Sequence, residues 1–594
     1  MTQFHFVKKA LTLVWETGKS WIIVSFLVRI VLGLIPIVSV LLIQNIINEI
    51  TLYFDNESKG LRSVIWLLLL QFGMLFFQSA VINLMKIFDL KIEQKLDYKL
   101  EKQISNKAAS VPLYYYDNTE FHHHHDRVMG NSGERMMSPI RAVLDIGQNV
   151  ITLISFFVFL IQVHWLLAFT STLMAIPVLV VQGKYGNKQF RLLRYQTPSI
   201  REAHYLSALL NDRESAKEIR LFNLKNHLLD RWSRLFIENN KKIFDLSKRR
   251  ELAHLGLQLF TAIIYVFNAF FLIRLLKTTT LKIGDFVGVM QAVQGTQNTI
   301  TDLSIKVANI FNEFLNIQDL FSFLEFEDPS MKIARGEKDF PSSMGQGIEF
   351  KNVSFTYPHS KRDVLSNVSF IIRPGEKIAI VGENGSGKTT LVKCLMGLYP
   401  VSRGGIFFDS VSIKDIKQEE LFKNLTVIFQ DFMKYNMSVK DNITISLQED
   451  AKNELKMIDV AKQTGVDSFV SRYERRYETI LGKILFEGED LSGGQWQKIA
   501  LARALFKNGQ IFVLDEPTAA LDPKAELEVF KQFEVLSKQK TTIYISHRMA
   551  SARIADRILV MKNGELVEMG HHDELMGNDS EYARLFNMQA KWYA

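Results

Sequence analysis

Gly382-Glu383-Asn384-Gly385-Ser386-Gly387-Lys388-Thr389-Thr390 follows directly on the apolar run Lys377–Val381. A short buried strand, a glycine-rich turn and a helix opening on Lys-Thr-Thr form the G-x-x-x-x-G-K-[ST] phosphate loop in its strand–loop–helix context. The glycines let backbone N–H groups converge on phosphate oxygens, and the helix that follows adds its N-terminal dipole. Lys388 is placed to reach the β- and γ-phosphates, and Thr389 to set a hydroxyl on Mg²⁺. A glycine turn without a ligand is the bland alternative, and the neighbouring strand and helix argue against it.

Upstream of this loop, Ile348–Tyr357 and Val368–Ile372 read as strands, and downstream so do Leu425–Gln430, Ile511–Glu516 and Thr542–Ser546. The run Ile511–Glu516 ends in two carboxylates. Asp515 suits a Mg²⁺ site, directly or through water, and Glu516 is placed to polarise an attacking water. Taken alone, that pair would be an acidic strand end capping the turn at Pro517. Leu491-Ser492-Gly493-Gly494-Gln495 precedes an amphipathic helix, Trp496–Phe506, and a serine with two glycines at a helix start is an anion site or an ordinary N-cap. It lies 103 residues after Lys388 and 24 before Asp515.

In that order and spacing these motifs resemble the ATP-binding cassette (ABC) superfamily, and the likeness covers the whole chain. The resemblance implies ATP and Mg²⁺ as ligands. It makes Tyr357 the aromatic that stacks on adenine, where a strand-edge tyrosine would be the plain reading. Gln430 resembles the glutamine that senses Mg²⁺, His547 the switch histidine on the γ-phosphate, and Ala520-Leu521-Asp522 the segment joining two nucleotide sites. The expected ATP contacts are Tyr357, Gly382 to Thr390, and Ser492, Gly493, Gly494 and Gln495 of a second copy. Glu516, His547 and Gln430 carry the catalytic roles, and Thr389, Gln430 and Asp515 the Mg²⁺.

The first half has a different character. Trp21–Ile43, Val64–Ile82, Ile146–Val163, Trp165–Val181 and Leu252–Leu276 are long apolar runs, and Ile283–Phe314 is a more polar sixth. Each can cross about 30 Å of hydrocarbon. Buried helices of a soluble protein are the competing reading, disfavoured by five such runs in so short a stretch. The polar sixth suits a helix facing a wet cavity. Lys and Arg crowd Phe88–Pro139 (seven) and Gln182–Arg250 (sixteen), which places both termini and both long segments in the cytoplasm. Those segments keep helical periodicity, so the spanning helices are expected to continue beyond the bilayer.

The expected architecture is therefore a six-span α-helical membrane domain of the type IV ABC exporter kind over residues 1–325. A linker over 326–345 rich in Asp, Pro, Ser, Gly and Lys follows, then an α/β nucleotide-binding domain over 346–594. Val111–Phe121 and Ala216–Asn223 resemble the two coupling regions by which exporter membrane domains dock on nucleotide domains. One membrane half with one nucleotide half implies a homodimer, each ATP held between the phosphate loop of one chain and Ser492 of the other. No signal peptide is visible in Met1–Ser20, and no peptidase domain is expected ahead of the first span.

Phe429–Tyr435, Leu481–Asp490 and Leu491–Arg503, with the less common Trp496-Gln497-Lys498, resemble exporters of ribosomal antimicrobial peptides of the nisin type. The implied cargo is a modified or precursor peptide; a drug, lipid or other amphiphile is the alternative. Arg29, Gln71 and Gln78 could line a path or pair helices. His122–His125 could hold a metal, yet no neighbouring Cys or acidic cluster completes a site, and a solvated polar segment is favoured. Cys394 is the single cysteine of 594 residues, which excludes a disulfide framework. The net charge of +8 would suit nucleic acid, but Gln182–Arg250 alone balances at +9, so it reads as topology and contact with anionic membrane lipid. No nucleic-acid partner is expected. A soluble ATPase acting on DNA or ribosomes conflicts with the spans, and a non-transporting sensor with the intact Glu516.

Overall fold

The computed structural model describes residues 2–55, 61–173, 175–195, 197–278, 281–326, 336–357, 360, 362–483, 488–515, 540–546 and 549–591. They divide into two compact units, Met1–Ser110 with Glu120–Phe326, and Val111–Thr119 with Glu327–Ala594.

The first unit is all-helical: α1 (Thr2–Asp55), α2 (Arg62–Ser110), α3 (Thr119–Val128), α4 (Ser132–Val163), α5 (Trp165–Leu173), α6 (Ala175–Tyr195), α7 (Thr197–Asn211), α8 (Ala216–Leu221), α9 (Lys225–Thr278) and α10 (Ile283–Leu324). With 54 residues, α9 runs about 80 Å at 1.5 Å per residue, far beyond the hydrocarbon thickness. The periodic sequence explains this: in the polar half of α2, Ile92, Leu96, Leu100 and Ile104 recur every fourth position and are buried. Among the described residues, five helices are long and apolar enough to span a membrane, in α1, α2, α4, α5–α6 and α9. The more polar α10 packs on α4 and α1, with Val289, Ala292 and Val293 almost fully buried. Between α4 and α5 the turn is reduced to His164, an extended residue whose N–H donates to Leu160 O at 2.9 Å.

Small residues set the closest helix approaches. A Cβ at Gly284 would lie 2.2 Å from Gln44 O, and one at Gly33 3.1 Å from Gln148 O. Beside Gly33, Thr152 Oγ1 donates to Gly33 O at 2.8 Å. Polar groups finish the seams: Arg29 Nε donates to Asp145 Oδ1 at 3.0 Å, Lys306 Nζ to Asp145 Oδ2 at 2.6 Å, and Gln71 Nε2 to Ser39 Oγ at 2.9 Å. Arg29 and Gln71 thus pair helices.

The second unit holds two sheets. One is antiparallel, in the order β2 (Asp363–Ile372), β1 (Ile348–Thr356), β4 (Arg403–Phe408), β5 (Val411–Ser412). The other runs β10 (Glu565–Gly570), β9 (Arg557–Lys562), β3 (Lys377–Gly382), β8 (Thr541–Ile545), β7 (Ile511–Asp515), β6 (Leu425–Ile428), parallel except for β10. β7 and β8 are buried at every position, as unbroken apolar runs in a central parallel strand must be. Helix α11 (Lys388–Leu395) follows β3, α12 (Gln418–Asn424) leads into β6, and α13 (Val439–Thr444), α14 (Glu454–Gln463), α15 (Asp467–Val470) and α16 (Gly493–Lys507) come between β6 and β7. Trp496, Phe506 and Ile443 anchor a helical core there. Of the linker, 327–335 lie outside the described residues. Residues 336–345 are folded onto the unit: Lys338 N donates to Asp415 O at 2.8 Å, and Phe340 packs on Phe408 at 5.2 Å between ring centroids.

Candidate functional site

The site forms where the strands of the parallel sheet end together. Ile380 of β3 pairs with Ile545 of β8, Ile545 with Asp515 of β7, and Leu514 with Ile428 of β6. The phosphate loop after β3, the carboxylate closing β7 and Gln430 after β6 therefore share one edge, the carboxyl edge at which open α/β sheets bind ligands.

Two glycines make the loop possible. Gly382 has φ +147, and a Cβ there would lie 2.2 Å from Met561 O; Gly387 has φ +101, and its Cβ would lie 2.8 Å from Leu365 Cδ2. No other residue fits both conformation and space. The loop wraps Lys388, whose buried ammonium donates to Gly382 O at 3.0 Å and Glu383 O at 2.9 Å. The Glu383 carboxylate points to Arg584 at 2.5 Å. Ser386 Oγ is buried with no partner among the described residues.

A cavity of about 590 Å³ opens over this loop, lined by Val364, Asn384, Gly385, Gly387, Lys388, Thr389, Thr390 and Gln430. Tyr357, at the end of β1, is half-buried and exchanges a hydrogen bond with Thr390 Oγ1 at 3.2 Å. Asp515 is buried. Backbone N–H groups at a helix start, a lysine, the unpartnered Ser386 hydroxyl and the exposed Thr389 hydroxyl suit a triphosphate; the oxygens of Thr389, Gln430 and Asp515 suit a hard cation such as Mg²⁺.

Ser492, Gly493, Gly494 and Gln495 start α16 and do not line this cavity. Ser492 N donates to Gln495 Oε1 at 2.9 Å and Gln495 N to Ser492 Oγ at 3.3 Å, a capping box that holds the helix start rigid. Glu516, Ala520-Leu521-Asp522 and His547 lie outside the described residues. The strands leading to Glu516 and His547 end at the same sheet edge as the phosphate loop.

Two contributors escape sequence reasoning. Val364 enters the cavity wall from β2. Arg503 ties α16 to the segment after Gln430, with Nη1 donating to Met433 O at 3.2 Å, Nε and Nη2 both 3.0 Å from Asn442, and its guanidinium 4.7 Å over the Tyr435 ring. Burial pulls the Arg503 pKa down. Its one sequence signal is an arginine on the apolar side of α16. Of the histidine run in α3, His125 packs on Phe323 at 5.6 Å and His124 on Phe326 at 5.7 Å; among the described residues no metal-holding group forms.

The defining pattern of the family "ABC transporter" matches residues 365–519, and that of the "ABC transporter transmembrane region" matches 22–299. The subtilin transport ATP-binding protein of Bacillus subtilis is 31% identical over 97% of this chain and 93% of that protein. The chain belongs to the ABC transporters. The nisin transport ATP-binding protein of Lactococcus lactis subsp. lactis is 30% identical over 97% of this chain and 95% of its own. An ATP-dependent lipid A-core flippase of Pseudomonas putida is 30% identical over 84% of this chain and 81% of its own. A solved bacterial Atm1-family ABC exporter with ATP bound superposes with a TM-score of 0.78, at 21% identity, over 96% of this chain and 98% of that one, which establishes the exporter fold. This ABC transporter is accordingly a membrane-embedded exporter whose ATPase is coupled to transport.

Proposed function

We propose that this ABC transporter exports a ribosomally made peptide, of the modified antimicrobial kind, across the cytoplasmic membrane as a homodimer. The observation that carries the reading is the near full-length match to two proteins named for subtilin and nisin transport. The flippase match, over 84% of the chain, keeps a lipid or other amphiphile as a second reading.

In this reading α10 is the sixth span, and both termini and the nucleotide unit are cytoplasmic, in keeping with the Lys/Arg-rich segments. Tyr357 stacks on adenine. Gly382 to Thr390 cradle the phosphates, with Lys388 leaving the Gly382 and Glu383 carbonyls for phosphate oxygens when ATP enters. Thr389, Gln430 and Asp515 hold Mg²⁺, which neutralises phosphate charge when bound. Glu516 orients and polarises the attacking water, and His547 contacts the γ-phosphate. Ser492 to Gln495 of one copy close over the ATP of the other; their absence from the cavity of a single chain supports that division. ATP then favours the closed pair and hydrolysis the open one, a bias between two states rather than a push on the cargo.

The test is uptake by inverted membrane vesicles of a nisin-type precursor peptide beside ordinary amphiphilic drugs and lipids. Wild type should accumulate the peptide with ATP, and Glu516→Gln should not. Transport of drugs or lipids alone, with no peptide uptake and no peptide-stimulated ATPase, would reject the peptide reading.

A further inference from the structure

Tyr399 lies outside every motif described above, yet it joins three of them. It closes the turn after α11 and is 3% exposed. A buried phenol needs a partner for its O–H. Tyr399 donates to Asp117 Oδ2 at 2.5 Å. Asp117 ends the 3₁₀ turn Leu113–Asp117, within the nine residues Val111–Thr119 that cluster with the second unit while the chain on either side clusters with the first.

On its other side Tyr399 packs on Tyr357, whose hydroxyl bonds Thr390 of the cavity lining. Its ring stands edge-on to Tyr357 at 5.4 Å and to Phe355 at 5.5 Å, and those two stand edge-on to each other at 4.9 Å. The Tyr357 hydroxyl reaches Thr390 in the first turn of α11, and Lys393, one turn further, sets its ammonium 5.6 Å over the Tyr399 ring. Rings packed at these spacings leave no slack, so a change in the tilt of Tyr357 displaces Tyr399.

We infer that Tyr399 is a positioning residue that reports occupancy of the nucleotide cavity to Asp117, so that a base resting on Tyr357 sets how firmly Val111–Thr119 is docked. This rests on the proposed reading of Tyr357 as the adenine platform. The O–H···carboxylate bond gives the segment a docked state with a defined partner, and the ring triangle gives the nucleotide a means of biasing it. A coupling needs a two-state element and a contact through which the ligand acts on it; the bond to Asp117 supplies the docked state and the ring triangle the contact.

The experiment uses the full-length protein in lipid nanodiscs, with Leu113, 38% exposed, replaced by Cys and labelled with a water-soluble maleimide, with and without a non-hydrolysable ATP analogue. Cys394 gives no background, since it is buried and its thiol is pushed up to about 12 by burial. The analogue should change the Leu113→Cys labelling rate by about tenfold in the otherwise native chain, the scale of a hydrogen bond to a charged group. Tyr399→Phe keeps the ring and loses only the O–H; it should abolish the change while analogue affinity stays within about twofold. Asp117→Asn, which still accepts, should restore most of the response, and Asp117→Ala should not. A wild-type-like response in Tyr399→Phe, or no response in the native chain, overturns the inference. So does a loss of analogue affinity in Tyr399→Phe beyond about tenfold, which would make Tyr399 part of the binding wall. Tyr357→Ala separates the two readings: undiminished analogue affinity there rejects the adenine platform itself, whatever Tyr399 does.

Discussion

Gly387 shows how much of the site one missing side chain controls. Its φ of +101 is a conformation that L-residues adopt at a cost, and a Cβ would be driven to 2.8 Å from Leu365 Cδ2 and 3.0 Å from Val364 O. Gly387→Ala should therefore cost about 2 kcal/mol or more in the folded state. Because Val364 also lines the cavity, relief of the clash deforms the binding wall itself. A lowered melting temperature together with lost binding of a fluorescent ATP analogue is the expected result. Native melting with native affinity would show that the loop tolerates the methyl group. The glycine pattern is legible in the sequence, because only glycine serves at such φ values; the identity of the backbone and side chain it must clear is not.

At the scale of elements, charge decides two attachments. Asp145 of α4 accepts from Arg29 of α1 and Lys306 of α10, so one carboxylate holds three helices. Asp145→Asn leaves two cations sharing a neutral acceptor. The cost should be about 1–2 kcal/mol, below that of a fully buried pair because about a third of both Asp145 and Lys306 is exposed. Thermal unfolding in detergent measures it, and Arg29→Gln in the same chain should recover part of the loss. The second attachment is the C-terminal helix Glu581–Ala590. Hydrogen bonds from Arg584, then from Lys562, pull the Glu581 carboxyl down from 4.5 to about 2. A depressed carboxyl stabilises the fold above its ordinary pKa, so this contribution is complete above about pH 4.5 and is lost as pH falls from 4.5 towards 2. Amide protection across Glu581–Ala590 should drop between pH 6 and pH 3, and Glu581→Gln should remove that pH step. Equal protection at both values in the native chain would mean that packing of Tyr582, not charge, holds the helix.

For the whole molecule, the proposed reading makes each ATP site the work of two chains. Ser492 to Gln495 start α16 and do not line the cavity over Lys388. If each ATP lies between two copies, Lys388→Ala and Ser492→Arg should each be inactive alone. Mixed and exchanged in detergent, they should regain ATPase activity, since half the pairs then carry one intact composite site. No recovery despite demonstrated exchange of subunits would reject the shared site.

The order of phosphate loop, Leu-Ser-Gly-Gly-Gln and Asp-Glu strand, and the apolar runs of the first half, determine the family and the two-part architecture from sequence. Each of these is a local matter of backbone conformation, helix starts or bilayer-length hydrophobicity, written in consecutive residues. The strand order that brings Gly382, Asp515 and Gln430 to one sheet edge is not local, since it joins residues 48 to 133 apart. The same holds for Asp145 between Arg29 and Lys306, and for Arg503 over Tyr435. It holds most of all for Tyr399 and Asp117, separated by 282 residues, whose hydrogen bond exists only because the fold buries a phenol beside a carboxylate. A buried polar group must find a partner, but which one it finds is decided by tertiary packing alone.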